Sequence, residues 1–255
     1  MGRAARHARH HRRAGADARR SRPDLSVTDG ARPSPNIWHH TATYEIENRA
    51  VDPHGHLAAT LRATADWTGR DVLDLGCGTG FHLPFFAADA RSVTGVEPHG
   101  DLVAIARRRT RRLANVRVEQ GLAQALPLPD ASVDVVHARW AYFFGPGAEP
   151  GLRELDRVVR RGGVAVVVDN DPTRSTFGGW FRRGYPEVDP AVVERWWSTH
   201  GWTRTPVDMG WSFPSRADLE AVVRIELPGD VAEQVLAEHE GLEVDYAVNV
   251  WSRRW

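Results

Sequence analysis

The sequence predicts an α/β fold built on a doubly wound, mainly parallel sheet, and three observations lead to this prediction. Apolar strand-like runs alternate with amphipathic helical segments over residues 71–171. Residues 164–168 are apolar throughout, as in a parallel strand that is buried on both of its faces. Residues 72–75 end in a glycine-rich turn, and in open parallel sheets ligands bind at such strand ends.

The remaining elements follow from hydrophobic periodicity and from glycine and proline signals. After the glycine turn, the predicted order is a helix at 81–88, a strand at 92–97, a helix at 101–114, strands at 115–120 and 133–138, a helix at 149–160 and a strand at 164–168. Gly162 and Gly163 are expected to cap the last of these helices. In the tail, the predicted elements are helices at 190–200, 216–223 and 230–239 and strands at 202–208 and 243–250.

The amino-terminal 35 residues differ from the rest of the chain in charge and in pattern. Residues 1–22 carry eight arginines and one aspartate, a formal charge of +7, so the rest of the neutral chain sums to −7. No hydrophobic periodicity runs through residues 1–35, and we expect a disordered leader there, or a start codon assigned too far upstream. A nucleic-acid arm or an organelle transit segment would have a similar Arg-rich composition.

Residues 36–255 are expected to form a single domain in three parts. A helical cap at 36–68 precedes a ligand-binding core at 69–171, and residues 172–255 add a lid insertion and closing strands. A chain of 255 residues with 42% hydrophobic content is typical of a globular protein. No apolar run approaches the roughly 18 residues of a membrane-spanning helix, and the amino terminus lacks the apolar segment of a secretory signal. We therefore expect a cytoplasmic protein.

The spacing of the glycines in the turn indicates the class of ligand. A dinucleotide-binding turn needs a third glycine at its sixth position, where a helix begins and holds a pyrophosphate. Here the glycines are Gly76, Gly78 and Gly80, Phe81 occupies the sixth position, and the sequence contains no Gly-Lys-Ser/Thr phosphate loop. A ligand without phosphate groups is favoured, and the glycines let it approach the main chain closely.

A carboxylate at the end of the next strand supports a nucleoside ligand. Glu97 ends the short apolar segment 92–97, about 20 residues beyond Gly76. An acidic residue at this distance is placed to accept hydrogen bonds from both hydroxyls of a ribose. The ligand is therefore predicted to contain a nucleoside.

Four sequence blocks, at residues 72–80, 93–98, 121–136 and 152–169, occur in this order. They resemble the class I S-adenosylmethionine-dependent methyltransferases, in particular the small-molecule enzymes similar to those of ubiquinone and menaquinone biosynthesis. The resemblance implies a Rossmann-like sheet of seven strands with helices on both faces, closed by a partly antiparallel pair of strands from the tail. It also implies S-adenosyl-L-methionine as the cofactor.

The resemblance further implies which residues hold the cofactor. Asp74 and the glycine turn would hold its methionine portion, and Glu97 its ribose. Where the family usually has an acidic residue for the adenine amino group, this chain has Leu122 and Gln124, so that contact falls to Gln124, to the backbone near Ala123 or to an apolar wall. The full expected set is Asp74, Gly76, Cys77, Gly78, Gly80, Glu97, Pro98, Leu122, Ala123, Gln124 and His137.

Acceptor-binding residues are expected in the cap and at the tips of the fourth and fifth strands, because ligands lie outside the carboxyl ends of parallel strands. The expected set is Trp38, Tyr44, Trp140, Tyr142, Phe143 and Asp169. The aromatic members of this set could equally be packing anchors for the cap and for the top of the core. Residues 173–197 are a candidate lid, or else a satellite core under a long loop.

Catalysis by such an enzyme depends mainly on aligning the acceptor behind the methyl carbon. His39, His40 and His137 are candidate bases for an acceptor that must lose a proton, with a purely structural role as the alternative. No metal is expected, because the histidines lack the spacing of metal ligands and no Cys-x-x-Cys pair accompanies them.

The predicted function is transfer of a methyl group by in-line displacement to an O, N or C nucleophile of a small molecule. An RNA methyltransferase guided by the arginine leader is a first alternative, although an acidic folded part disfavours nucleic acid as a partner. A protein that binds S-adenosylmethionine without turnover is a second alternative.

Overall fold

A computed structural model of the protein describes residue 31, residues 33–141 and residues 145–255, and in this part of the chain seven strands alternate with ten helices. The strands are β1 (Asp71–Leu75), β2 (Ser92–Glu97), β3 (Val116–Gln120), β4 (Val133–Arg139), β5 (Val159–Asn170), β6 (Thr203–Ser212) and β7 (Glu243–Arg254). The helices are α1 (Pro35–His39), α2 (Thr41–Ala50), α3 (His56–Thr64), α4 (Leu83–Ala87), α5 (Gly100–Thr110), α6 (Glu149–Val158), α7 (Thr176–Gly184), α8 (Pro190–Thr199), α9 (Arg216–Glu226) and α10 (Gly229–Glu238). The predicted α/β class is confirmed.

The seven strands form one sheet in the order β3-β2-β1-β4-β5-β7-β6. Strands β1 to β5 are parallel, and β7 runs antiparallel between β5 and β6, which confirms the predicted closing pair. The strand order reverses between β1 and β4. Their carboxyl ends, together with that of β2, therefore surround the crevice in which doubly wound sheets bind ligands.

The sheet is covered by apolar side chains on both faces. Along β5, Val164, Val166 and Val168 belong to one buried cluster, whereas Ala165 and Val167 belong to the other. A strand between two apolar layers needs no polar alternation, which explains the continuous apolar run in the sequence. The same alternation decides the face on which each residue at the tip of β5 lies.

The expected cap at Gly162 and Gly163 is wrong, because β5 already begins at Val159 and contains both glycines. Helix α6 ends at Val158, and the pairing of β4 with β5 shifts register between Val133 and Val135. Gly162 has a φ of +83° and donates its N–H to the Trp255 carbonyl at 2.7 Å. A side chain at Gly163 would lie 2.8 Å from the Arg160 carbonyl oxygen, so these glycines serve a kink in the strand.

The amino-terminal helices α1 and α2 are called the cap below, and α2 packs on α9. The backbone after α2 is joined to β6 by a bridge between Val51 and Trp211. None of the described helices is both long enough and apolar enough to cross a bilayer. Residues 1–30 and Arg32 lie outside the described residues, so the disordered leader stays a prediction.

The segment 173–197 contains α7 and the first part of α8, and its aromatic side chains pack as a core. Trp180 and Trp197 are buried in the apolar clusters on opposite faces of the sheet, and the Tyr185 hydroxyl donates to the Glu226 carbonyl at 2.9 Å. Trp196 packs on Gly145. The described aromatic side chains of this segment are thus packed, and a lid over the acceptor stays a prediction.

Candidate functional site

The glycine turn after β1 holds three residues in the left-handed region of backbone space. The φ angles of Gly76, Gly78 and Gly80 are +74°, +54° and +75°. The N–H groups of Gly76 and Cys77 donate to the Val96 carbonyl at 2.8 and 3.1 Å, which ties the turn to the end of β2. A β-carbon on Gly78 would lie 2.8 Å from Cδ1 of Ile37. The turn needs glycine both for its conformation and for the close approach of neighbouring groups.

Glu97, the last residue of β2, is buried beside this turn. Its Oε2 accepts the N–H of Gly78 and its Oε1 accepts the N–H of His99, both at 3.0 Å. Burial raises the pKa of Glu97 to about 7, and the charge of Asp74 adds to this, while the two N–H groups oppose it. The carboxylate is therefore fixed in orientation by the backbone, and further hydrogen-bond donors can reach it from the cavity that it lines.

A cavity of about 400 Å³ opens at the carboxyl ends of β1, β2 and β4. Its walls come from the cap, the glycine turn, the residues after β2 and β3, the tip of β4 and the start of α6. Its described lining residues are Ala31, Ser34, Ile37, Trp38, Tyr44, Leu75, Gly76, Gly78, Glu97, Pro98, Gly121, Leu122, Ala123, Gln124, Arg139, Trp140, Ala141, Pro146, Gly147, Ala148, Pro150 and Gly151. Its volume is in the range of small-molecule sites.

Most of the expected cofactor residues meet at this cavity, and the others do not. Those that line it are Gly76, Gly78, Glu97, Pro98, Leu122, Ala123 and Gln124. Asp74, Cys77 and His137 line an adjoining cavity of about 40 Å³, which shares Gly76 and Gly78 with the larger one. Gly80 lines neither described cavity, because it packs closely against Leu83 and Ala106.

Asp74 and His137 form a buried pair across β1 and β4. Nδ1 of His137 lies 2.7 Å from Oδ1 of Asp74, and the His137 ring packs against Phe86 with 4.9 Å between centroids. Nε2 of His137 is buried, and among the described residues it has no hydrogen-bond partner. The Asp74 carboxylate fixes the orientation of this imidazole beside the glycine turn.

Cys77 behaves as a small packing residue within the turn. Burial is the main cause that raises the pKa of its thiol well above the ordinary value. A β-carbon on Gly95 would lie 2.8 Å from the Cys77 Sγ, so the side chain is tightly enclosed. A protonated, enclosed thiol is a poor nucleophile, which agrees with the packing role.

Some of the expected acceptor residues line the larger cavity, and others do not. Trp38, Tyr44 and Trp140 line the larger cavity, and the Trp38 ring lies 5.0 Å from that of His99 at the Glu97 end. Trp140 has a φ of +50° and donates its indole N–H to Oδ1 of Asn170 at 2.8 Å. Tyr142 and Phe143 lie outside the described residues.

Asp169 does not join the larger cavity, contrary to the expectation. It is buried in a separate pocket of about 20 Å³ together with Arg204 and Asn249. Asp169 follows Val167 by two residues and so lies on the face of that residue, whereas His137 and Arg139 pair with Val166 and Val168 of the other cluster. Burial alone raises the pKa of Asp169 well above its ordinary value.

The cap histidines are not brought to the site. His39 ends α1 and His40 precedes α2; both are exposed, and neither lines a described cavity. Their catalytic role stays a prediction. No group of three or more metal-ligating side chains occurs within the described ranges.

The cap is attached to the glycine turn by an ionic network. Arg109 of α5 donates to the Thr79 hydroxyl at 2.8 Å and to the Glu45 carboxylate at 2.6 Å, and the Thr79 hydroxyl also donates to Glu45. Glu45 lies on α2, so these bonds join three elements around the turn. Such partly buried, charge-assisted hydrogen bonds hold the cap over the cavity.

Sequence reasoning missed several lining residues. Pro146, Ala148 and Gly151 belong to the connection into α6 and its first turn. Arg139 ends β4, and its position at that strand tip predicts that it faces the crevice. The contribution of Ile37 depends on how the cap lies over Gly78, which no local pattern specifies.

The turn and the acid together fit an adenosyl group without phosphates. The glycine turn presents backbone at the strand end, and Glu97 presents an oriented carboxylate beside it. Carboxylates at this position accept ribose hydroxyls in doubly wound folds. The fold and the site together have the arrangement expected for a class I methyltransferase.

Comparisons with known proteins agree with this class. Residues 73–167 match a family model described as a methyltransferase domain. The ubiquinone/menaquinone biosynthesis C-methyltransferase UbiE of Rubrivivax gelatinosus is 32% identical over 135 residues, covering 53% of this chain and 51% of that protein. Demethylmenaquinone methyltransferase of Lactococcus lactis is 28% identical over 176 residues, covering 66% and 69%. Over these residues the chain is similar to S-adenosylmethionine-dependent methyltransferases.

These matches cover only part of each relative. The chain spans about half the length of the first curated relatives that it matches, for example 51% of UbiE. Among solved structures, YcgJ of Bacillus subtilis matches with a TM-score of 0.57 and 22% identity, covering 79% of this chain and 100% of that one. The [4+2]-cyclase SpnF has the same fold, with a TM-score of 0.52 and 19% identity over 78% of this chain and 80% of its own. Fold therefore does not determine the reaction.

Proposed function

We propose that the protein binds S-adenosyl-L-methionine in the 400 Å³ cavity and transfers its methyl group to an O, N or C nucleophile of a small molecule. The observation that carries this proposal is the pairing of the left-handed glycine turn with the oriented Glu97 carboxylate at one end of the cavity. The match of residues 73–167 to a methyltransferase domain supports it.

Each part of the cavity has a role in the proposal. Glu97 accepts the ribose hydroxyls, and the backbone around Gly76 and Gly78 holds the amino-acid portion, with the Asp74–His137 pair beside it. Leu122 and Ala123 form the wall for the adenine ring, with Gln124 as its polar contact. This chain lacks the usual acidic residue there, so adenine is held by packing and by polar groups without charge.

The chemistry requires alignment more than acid–base groups. When bound, S-adenosylmethionine supplies a methyl group that its sulfonium charge already activates. The chain's own contribution is to orient the acceptor and to exclude water, and orientation alone supplies about 7–11 kcal/mol in favourable cases. The cap helices, held by Glu45 and Arg109, cover the cavity for this purpose. His137 is the proposed proton acceptor only for acceptors that ionise, because its Nε2 is the ring nitrogen left unpaired by described residues.

The alternatives differ in their partner. A guide for RNA in the Arg-rich residues 1–22 would give a salt-dependent RNA affinity that disappears when residues 1–35 are deleted. A protein without turnover would bind the cofactor and methylate nothing. A cytoplasmic location remains part of the proposal.

The test is transfer from labelled cofactor. Purified protein is incubated with S-adenosylmethionine carrying an isotopically labelled methyl group and with a small-molecule extract of cells, and the products are identified by mass spectrometry. The expected result is a labelled small molecule that is absent with the Glu97→Ala variant and present with Glu119→Ala, a matched change at a half-buried position of β3 outside the cavity. Tight cofactor binding without any labelled product would support the non-catalytic alternative.

A further inference from the structure

The larger cavity contains a cation, Arg139, that forms no ion pair with a described residue. Of its described lining residues, only Glu97 and Arg139 carry formal charge. An Nη1 atom of Arg139 lies 3.3 Å from Nε2 of His82, and the guanidinium lies 4.5 Å from the centroid of the Trp140 ring. Its Nε is buried without a hydrogen-bond partner in the described chain. No carboxylate of the described residues lies within ion-pair distance of Arg139.

The carboxyl groups nearby are unavailable to this guanidinium. Asp74 is bonded to His137, and Glu97 receives two backbone N–H groups. Glu47 is buried and shares a side-chain hydrogen bond with Glu226, and burial together with the charge of Glu226 raises its pKa well above the ordinary value. The Asp52 carboxylate accepts the backbone N–H groups of Leu57 and Ala58. Arg139 is therefore a partly desolvated cation with a free donor, and such groups are costly unless an anion joins them.

The proposed cofactor increases this imbalance. Its amino-acid ammonium and carboxylate cancel in charge, so the sulfonium leaves a net positive charge in the same cavity as Arg139. Burying two cations together is unfavourable, and a bound anion would offset both. Arginine also presents a planar fork of N–H donors that matches a carboxylate in two parallel hydrogen bonds.

We propose that Arg139 is the specificity-determining residue for the acceptor, and that the acceptor carries a carboxylate which pairs with it. This inference rests on the function proposed above. Much of the described wall of this cavity is apolar, including Ile37, Ala141, Ala148 and Pro150. The acceptor class is therefore a carboxylic acid with an apolar body, whose carboxylate either is positioned by Arg139 or is itself methylated. In the second case a carboxylate oxygen forms the bond to carbon, the carbon–sulfur bond breaks, and S-adenosylhomocysteine leaves.

A first experiment separates the acceptor from the cofactor's own carboxylate. Calorimetry gives the affinities of S-adenosylhomocysteine and of 5′-methylthioadenosine, which lacks the amino-acid carboxylate, for wild type, Arg139→Met and Arg117→Met. Arg117 lies on β3 outside the cavity and serves as the matched control. We expect both affinities to stay within about twofold in all three proteins. A loss above about tenfold for S-adenosylhomocysteine alone in Arg139→Met would assign Arg139 to the cofactor and overturn the proposal.

A second experiment measures the anion directly. The S-adenosylhomocysteine complex is titrated with octanoate and benzoate and with their neutral amides, octanamide and benzamide. We expect at least one acid to bind about tenfold more tightly than its amide, to lose that advantage in Arg139→Met and to keep part of it in Arg139→Lys. Equal binding of acids and amides, no binding of either acid, or an unchanged preference in Arg139→Met would each contradict the proposal.

Failure of the proposed function and failure of the role proposed for Arg139 give different results. If wild type does not bind S-adenosylhomocysteine, the proposed function fails, whereas normal binding without carboxylate preference removes only the role of Arg139. If Arg139→Met does not fold, the comparison of acid with amide on wild type and Arg139→Lys still decides.

Discussion

At the scale of single residues, burial and backbone contacts determine what each carboxyl group does. Glu97, Asp74 and Asp169 are all buried near the carboxyl ends of parallel strands. Glu97 is oriented by two backbone N–H groups, Asp74 is committed to His137, and the Asp169 Oδ2 has no partner in the described chain. Of these three, only Glu97 lines the larger cavity, so it alone is placed to bind a ligand there.

The raised pKa of Glu97 predicts that the free energy of unfolding of the unliganded protein falls as the pH rises. Its pKa is about 7 in the fold, against 4.5 for an unperturbed glutamate. Between these values the native state holds a proton that the unfolded chain releases, so this residue's contribution to stability is full below pH 4.5 and is lost as the pH rises to 7. At about 1.4 kcal/mol per pKa unit, the loss is about 3 kcal/mol.

Urea unfolding at pH 5 and pH 8 measures this effect. The free energy of unfolding of wild type should fall by about 2.5 kcal/mol more than that of Glu97→Gln, which carries no titratable group there, because part of the effect has already been lost at pH 5. Glu119→Gln, at a half-buried position of β3, should retain the wild-type pH dependence. Equal pH dependence in wild type and Glu97→Gln would show that Glu97 titrates normally.

At the scale of elements, the glycine turn works because it meets both the sheet and the cap. Its N–H groups bond to the end of β2, Thr79 bonds to α2 and α5, and Gly78 faces Ile37 of α1. The turn therefore transmits any change in its shape to the cap. The turn is easy to recognise in the sequence because left-handed φ angles and close approach both require glycine, here at every second position.

Replacing Gly78 by valine should abolish binding of S-adenosylhomocysteine and lower stability. The left-handed φ of +54° costs a side chain about 1–2 kcal/mol, and the new β-carbon would lie 2.8 Å from Ile37. Gly201→Val is the matched control, because Gly201 has a φ of +78° with no atom within 4 Å of its would-be β-carbon. Calorimetry should find binding lost only in Gly78→Val. Normal binding there would exclude the turn from the site.

At the scale of the whole molecule, ligand binding and folding are linked. The cavity is formed by the cap, by three strand ends and by the start of α6, all of which come together only in the folded chain. A ligand that binds there stabilises the native state in proportion to the logarithm of its concentration over its Kd. The class of cofactor can thus be identified from stability alone.

S-adenosylhomocysteine at 100 times its Kd should stabilise the protein by about 2.7 kcal/mol. For a chain of this size the midpoint of thermal unfolding should rise by about 5–10 °C. NAD at the same concentration should leave the midpoint unchanged, because the turn has Phe81 where a pyrophosphate site needs glycine. Calorimetric scans of the protein with each ligand measure both shifts, and a rise with NAD would contradict the glycine-spacing argument.

The sequence alone determined the α/β class and the order of the elements from β1 to β5, and it supplied the residues proposed to bind the cofactor. These features depend on local patterns: apolar periodicity, the spacing of Gly76, Gly78 and Gly80, and the distance to Glu97. Only the tertiary structure decided which side chains at the tips of β4 and β5 share a cavity. Residues 164–168 are uniformly apolar, so the sequence carried no alternation from which to assign Asp169 to one face and Arg139 to the other.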